Sequence, residues 1–200
     1  FADATAMMAR GDFAGACPKL EQVVELQPQG VGARLTLADC QAGRGALVRA
    51  SAALAQAVEL ATRAQQTERA TAAAEKRRAL DARIPRLTIA VPLHLAGLQG
   101  LAVSRNGAPV PVADLGGAVP VDPGPHVVRA SAPGRPAFEA TVELAEGATQ
   151  VVTVTLAPEP LPPAAVPPAA EGPAPGEVEG RRRASGLALA GGGTGGSGGA

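Results

Sequence analysis

The chain has 200 residues, 18 of them basic and 18 acidic, and a formal charge of zero. That length admits one or two domains, and the charge balance argues against nucleic acid as the main partner, because no broad basic field covers the chain. Trp and Tyr are absent and Phe occurs three times, while 25 Gly and 19 Pro mark length that cannot join a packed core.

Residues 1–27 predict a helical pair. Phe1, Ala4, Met7 and Met8 fall on one helix face. Gly11 and Asp12 break that helix, and a second begins near Phe13 and carries Leu20, Val23, Val24 and Leu26. Pro18 is expected early enough in this helix to be tolerated, since first-turn amides lack an intrahelical partner. Pro28 and Gly30 stop it. Residues 31–63 repeat the plan: Leu35, Leu37 and Ala38 lie on one helix, Gly43 to Gly45 turn, and Ala50, Leu54, Ala57, Val58 and Leu60 line the next.

The two pairs are in register at a spacing of 34 residues. Gly11 falls on Gly45, Phe13 on Leu47, Ala16 on Ala50 and Leu20 on Leu54; Gln22, Val24, Glu25 and Leu26 fall on Gln56, Val58, Glu59 and Leu60. A fixed period of that length marks stacked helical hairpins. The small residues Ala16 and Ala50 let antiparallel helices approach closely. Residues 67–83 predict one more helix, Ala-rich and charged, suited to the polar cap that a stack needs. An alternative lets the helix from Ala46 run on through Gln65 and Gln66. The run Lys76–Arg78 reads first as a solvated face and second as a contact for acidic groups.

Cys17 and Cys40 are the two cysteines. They are too few for a metal site and lack C-x-x-C spacing. One reading buries both as small hydrophobes; the other joins them as a disulfide in an exported protein.

G-D-F-x-x-A-x-x-x-L, with a proline fifteen residues after the Phe, resembles the tetratricopeptide repeat. The match runs through Gly11, Phe13, Ala16, Leu20 and Pro28, then Gly45, Leu47, Ala50, Leu54 and Ala57. The family's first-helix aromatics are replaced, with Arg34 and Gln41 at those places, and Thr62 stands where a second terminal proline would fall. The resemblance implies a peptide or protein partner in a groove lined by the first helix of each pair, with Met7, Arg34, Leu37 and Gln41 as partner-binding candidates. In such stacks the second helix of one repeat packs beside the first of the next, which would bring Cys17 next to Cys40. A bridge there would add about 3 kcal/mol by constraining the unfolded chain.

Ile84-Pro85 ends the helical half, and the period changes. Leu87, Ile89 and Val91 alternate as in a half-buried strand. Leu101 and Val103 lead into Asn106-Gly107, a tight-hairpin signal, and Val110 and Val112 return. Val119 and Val121 form a short strand. His126 to Ala130, then Phe138, Ala140, Val142 and Leu144, then Val152, Val154 and Leu156 complete a set of short strands between turns, which predicts an antiparallel sandwich. LAVSRNGAPV, VDPGPHVVRASAPGRPAFEATVELAEG and TQVVTVTL resemble the PEGA-type domain of the carboxypeptidase regulatory-like class, although Leu98-Gln99-Gly100-Leu101 replaces the name-giving motif. That resemblance implies a surface or envelope accessory module.

Pro158 to Pro175 is a Pro/Ala spacer of extended habit. Arg181–Arg183 and an uncharged tail of seventeen residues, eight of them Gly, follow. The tail reads as flexible, with a membrane anchor beyond residue 200 as the second reading. His94 and His126 lack the neighbours of a metal site, and no nucleophile, zinc or phosphate-loop motif occurs. The chain is therefore expected to need no cofactor or metal and to be non-catalytic.

Together these readings predict an α+β protein: helical repeats over 1–84, a β-sandwich over 85–157, a linker over 158–180 and a tail over 181–200. The chain opens on Phe1 without Met, so a signal peptide is expected to be missing, and the cell envelope, on the periplasmic side, is the expected location. The expected partner is a protein or peptide on the helices. The alternative is a structural spacer touching cell-wall polymer through the sandwich.

Overall fold

A computed structural model describes residues 1–158. The expected linker beyond Pro158, the basic cluster and the tail lie outside the described residues. Five helices come first: α1 (Ala2–Ala9), α2 (Phe13–Leu26), α3 (Val31–Gly43), α4 (Leu47–Arg63) and α5 (Thr67–Asp81). Seven strands follow: β1 (Arg86–Ala90), β2 (Ala102–Arg105), β3 (Ala108–Pro109), β4 (Ala118–Pro120), β5 (Gly124–Ser131), β6 (Phe138–Leu144) and β7 (Thr149–Thr153), with a short helix α6 (Leu93–Ala96) after β1. The architecture is α+β, with helices first and largely antiparallel strands after.

Three helices end in the same way. At the ends of α1, α3 and α4 the chain enters the left-handed region at Gly11 (φ 79°), Gly45 (φ 82°) and Gln65 (φ 57°). In each case two amides fold back onto the last turn: Gly11 and Asp12 onto Met8 and Met7, Gly45 and Ala46 onto Ala42 and Gln41, Gln65 and Gln66 onto Thr62 and Ala61. This is the Schellman arrangement, which satisfies carbonyls the helix end would orphan. The break at Gln65 settles the alternative left open by the sequence: α4 stops, and α5 is a separate helix. Pro18 is the sixth residue of α2, past the first turn where it was expected. Its missing amide leaves the Ala14 carbonyl unpaired within the helix, and both residues are exposed, so water can reach that carbonyl.

The repeat is visible as equivalent burial. Ala16 and Ala50 are fully buried, as are Leu20 and Leu54. Ala4, Ala16, Cys17, Leu20 and Cys40 form one cluster, with Met7, Phe13 and Leu37 packed against it. Ala38, Leu47, Ala50, Ala53, Leu54 and Leu80 form the next. Leucines buried to this degree contribute about 1.5–3 kcal/mol each. The fit is tight at the end of α3, where a Cβ on Gly43 would come within 2.5 Å of the Phe13 ring.

The strands form two sheets, ordered β4-β1-β7 and β3-β2-β5-β6, around one core that includes Leu87, Ile89, Val128, Leu144 and Val154. One pair, β1 with β7, is parallel, with Leu87 beside Gln150 and Ile89 beside Val152; the other pairs are antiparallel. Asn106 (φ 50°) and Gly107 (φ 81°) make the tight turn between β2 and β3, both in the left-handed conformation that such a hairpin requires. Val112, expected on the returning strand, lies instead in a single 3-10 turn and is 84% exposed. Pro109 and Pro111 explain this: neither has an amide with which to continue the ladder.

The two halves are bonded to each other. Pro85 is fully buried between them and its carbonyl accepts the Val121 amide at 3.0 Å. The Gly147 amide donates to the Arg83 carbonyl at 2.6 Å. The Arg83 guanidinium grips Glu146 through two hydrogen bonds of 2.8 and 2.7 Å. The Val48 amide, in the first turn of α4, donates to the Asp122 carboxylate at 2.9 Å.

Candidate functional site

The helix α3 packs against α2 on one side and α4 on the other, so its sequence decides what remains open. Its i, i+4, i+7, i+11 line is Gly32, Thr36, Asp39 and Gly43, all exposed except the half-buried Thr36. These residues are small or polar, and Gly32, Thr36 and Asp39 form a strip that stays open, whereas Gly43 lies against the Phe13 ring of α2. Asp39 forms an ion pair with Lys76 of α5, both side chains about half exposed. The open strip of α3 therefore borders Lys76 on α5.

At the start of the α3 strip the surface turns apolar. Phe1, Val23, Leu26, Gln27, Gly30, Gly32 and Ala33 surround an open depression of about 460 Å³. Leu26 is 83% and Phe1 56% exposed. Gly32 belongs to both features, so the depression opens directly onto the strip. From Gly32 to Asp39 the helix rises about 10 Å, at 1.5 Å per residue. The combined surface offers an apolar seat at one end and a charged pair farther along.

The four residues that resemblance assigned to the groove do not converge on this surface. Met7 and Leu37 are half-buried and pack into the cluster between α1, α2 and α3. Gln41 is only 2% exposed, and its Nε2 donates to Glu21 of α2 at 2.7 Å. Arg34 turns toward α4, its Nε donating to Gln56 at 3.2 Å. Met7, Leu37 and Gln41 face helix neighbours, because α3 is packed on two flanks, while Gly32, Thr36 and Asp39 lie on its more open side. The spacing 34-37-41 marks a helix face without saying that the face is open. Asp39 went unassigned, and its signal was the run of small and polar residues at helical spacing; Lys76, read from sequence as a solvated face or a contact for acidic groups, pairs with it. Lys76–Arg78 is partly neutralised as well, since Arg77 lies 3.5 Å from Asp81.

Cys17 of α2 and Cys40 of α3 are joined by a disulfide with their Cα atoms 5.6 Å apart, a usual separation for such a bond. The bond pins α2 to α3 behind the open strip. His126 is buried on β5, where its Nε2 donates to the Asp122 carbonyl at 2.7 Å and its Nδ1 accepts from the Asn106 amide at 3.3 Å. Asn106 Oδ1 accepts the Val127 amide at 2.8 Å, which fixes the orientation of its side chain. Both ring nitrogens thus serve the sandwich and steady Asp122 beneath α4. His94 is exposed on α6.

The clearest charge perturbation is structural. Hydrogen bonds from Arg83 hold the Glu146 carboxyl below its ordinary value of 4.5, against an opposing effect of desolvation and with help from the Arg83 charge. Glu146 in turn raises the Arg83 guanidinium, and Glu139 does the same for Arg129. Among the described residues no group of three or more His, Cys, Asp or Glu could hold a metal ion, and no helix is long and apolar enough to cross a membrane.

Comparison with known families bears on the helical half. Residues 7–74, from within α1 to within α5, match the family described as Tetratricopeptide repeat. This part of the chain is therefore similar to repeats that serve as protein–protein interaction modules. No curated protein matches the chain.

Proposed function

We propose that the chain is a non-catalytic envelope protein that holds a peptide or protein partner on the open strip of α3 and α5. An apolar side chain of the partner sits in the depression beside Leu26, and polar groups meet Asp39 and Lys76. The observation that carries this reading is the continuity of an exposed apolar seat with the uncovered strip of a repeat helix. Solvent-exposed apolar surface rimmed by polar residues marks interaction sites, and a helical groove reads its partner through such anchors.

The location in the reading is the periplasmic side of a bacterial envelope. The Cys17–Cys40 disulfide supports it, since such bonds persist in oxidising compartments. In this reading the β-sandwich is a PEGA-like accessory module that presents the helices, steadied by the Asp122 and Arg83 contacts.

Site-specific photo-cross-linking in the full chain tests the proposal. A photoreactive residue at Leu26 or Thr36 should yield a covalent adduct with one partner, and Leu26→Asp should abolish the adduct formed from position 36. The same probe at Thr141, on the outer face of β6, should yield none. Adducts confined to Thr141 would transfer the function to the sandwich, as would retention of cell-wall polymer that Leu26→Asp leaves unchanged.

A further inference from the structure

The sandwich has four sheet edges, and three are guarded. β3 is two residues long and includes Pro109; β4 is three residues long and ends at Pro120. β6 carries Glu139 and Glu143 on its exposed face. Short edges, prolines and charges are the usual defences against pairing with another chain. β7 has none of them. From Thr149 to Leu156 the chain reads TQVVTVTL, without Gly, Pro or charge.

The backbone of β7 is half used. The Arg86 amide donates to the Ala148 carbonyl at 2.8 Å and the Val154 amide to the Ala90 carbonyl at 2.9 Å. These bonds bracket a parallel ladder in which alternate residues of a strand bond to a given neighbour. The even-numbered residues of β7 therefore face β1. Thr149, Val151 and Thr153 turn their amides and carbonyls the other way, where β7 forms the sheet's edge among the described residues. Val151 is 62% exposed, whereas Val152, Val154 and Leu156 face the core.

We infer that this edge is the dimerisation surface of the protein, pairing antiparallel with β7 of a second copy. The pairing is self-complementary. A two-fold axis at Val152 sets Val151 opposite Thr153 and Thr149 opposite Thr155 of the second copy, and Val152 opposite its own equivalent. No charge opposes a like charge. Were β6 to pair with itself in the same way about Thr141, Glu139 would face Glu143 in both directions, and like charges directly opposite are destabilising. The two-fold contact consumes both unguarded edges, so assembly stops at two chains. The result is one continuous six-stranded sheet, β4-β1-β7 followed by its symmetry mate.

Light scattering on the full chain across micromolar to millimolar concentrations tests this. The expected mass rises to double the 19.7 kDa of one chain. Val151→Lys puts a charge on the exposed face of the edge without touching the core, and Thr153→Pro removes an outward amide without breaking the β1 ladder. Either variant should restore the single-chain mass at the top of the range with an unchanged far-ultraviolet spectrum. Hydrogen exchange should show the Val151 and Thr153 amides slowing as dimer forms, while the Val152 amide is slow throughout. A single-chain mass at every concentration overturns the inference. So do dimers that persist in folded Val151→Lys, and open-ended polymers in place of dimers. If Thr153→Pro fails to fold, the Val151→Lys and exchange results decide alone.

Discussion

Asp122→Ala should loosen the whole helical half from a position in the sandwich. The helix α4 lies between α3 and α5, yet its own N-cap residue is Ala46, which has no side-chain acceptor. In α2 the equivalent place is held by Asp12, which accepts the Gly15 amide at 2.9 Å. Asp122 does this for α4 from outside, at 2.9 Å from the Val48 amide. Losing a capping acceptor costs about 0.5–2 kcal/mol, and removing a carboxylate from a helix N-terminus costs about 0.3–1 kcal/mol more. The site is part-buried, so water replaces some of the lost bond, and about 1.5 kcal/mol is expected for Asp122→Ala. That corresponds to a fall in Tm of roughly 3–6 °C for a domain of this size. Asp122→Asn keeps an acceptor and should lose about half as much. The chain lacks Trp and Tyr, so urea and thermal unfolding are best followed by far-ultraviolet circular dichroism. Ala46→Ser supplies α4 with a cap of its own, and it should recover more stability in the Asp122→Ala background than it adds to the parent. A loss below about 0.3 kcal/mol, within the scatter of ordinary surface substitutions, would refute the external cap. Equal gains from Ala46→Ser in both backgrounds would refute the link between Asp122 and α4.

Three further outcomes are expected. The Glu146 carboxyl is held low by Arg83, so the stability it contributes is fully present above its unfolded value near 4.5 and is lost as pH falls through the lower folded value. Unfolding measured between pH 7 and pH 3 should show that acid-side loss shrinking in Glu146→Gln and at high salt; an unchanged profile would dismiss the contact. Gly43→Ala drives a methyl into the Phe13 ring and should cost about 1–3 kcal/mol in urea unfolding. Phe13→Leu, which adopts the residue of the second repeat, should relieve part of it, and full tolerance of Gly43→Ala alone would mean the seam is loose. Gln65→Gly should raise stability by up to about 1 kcal/mol, since glycine takes the left-handed conformation freely; a loss on thermal unfolding would count against that turn.

The helical plan was readable because two kinds of residue repeat it. Gly11 and Gly45 announce left-handed turns, and Ala16/Ala50 with Leu20/Leu54 announce the packed faces between them. Gln65 adopts the same turn without a glycine, which is why the sequence left α4 and α5 open to merging. Alternation located the strands but not their direction, so the parallel pairing of β7 with β1 came only from the structure. Leu95 is buried through a four-residue helix too short to show a period. The surface of α3 was harder to read than its core. The resemblance named Arg34, Leu37 and Gln41, and only the packing of α2 and α4 shows that Arg34 and Leu37 are half-buried and Gln41 is buried. The long-range partners of Asp122 and Arg83 join residues far apart in sequence, and no local pattern announces them.

The seam between α2 and α3 underlies everything proposed for the helical half, and Cys17 and Cys40 report on it. Their sequence separation of 23 makes closure of the loop worth about 3 kcal/mol, provided the two helices lie side by side. The reduced full chain should be refolded in glutathione buffer, alkylated with and without subsequent reduction, and weighed intact by mass spectrometry. Side-by-side helices give no added label before reduction and two after it. Two labels before reduction would show that α2 and α3 do not meet as described.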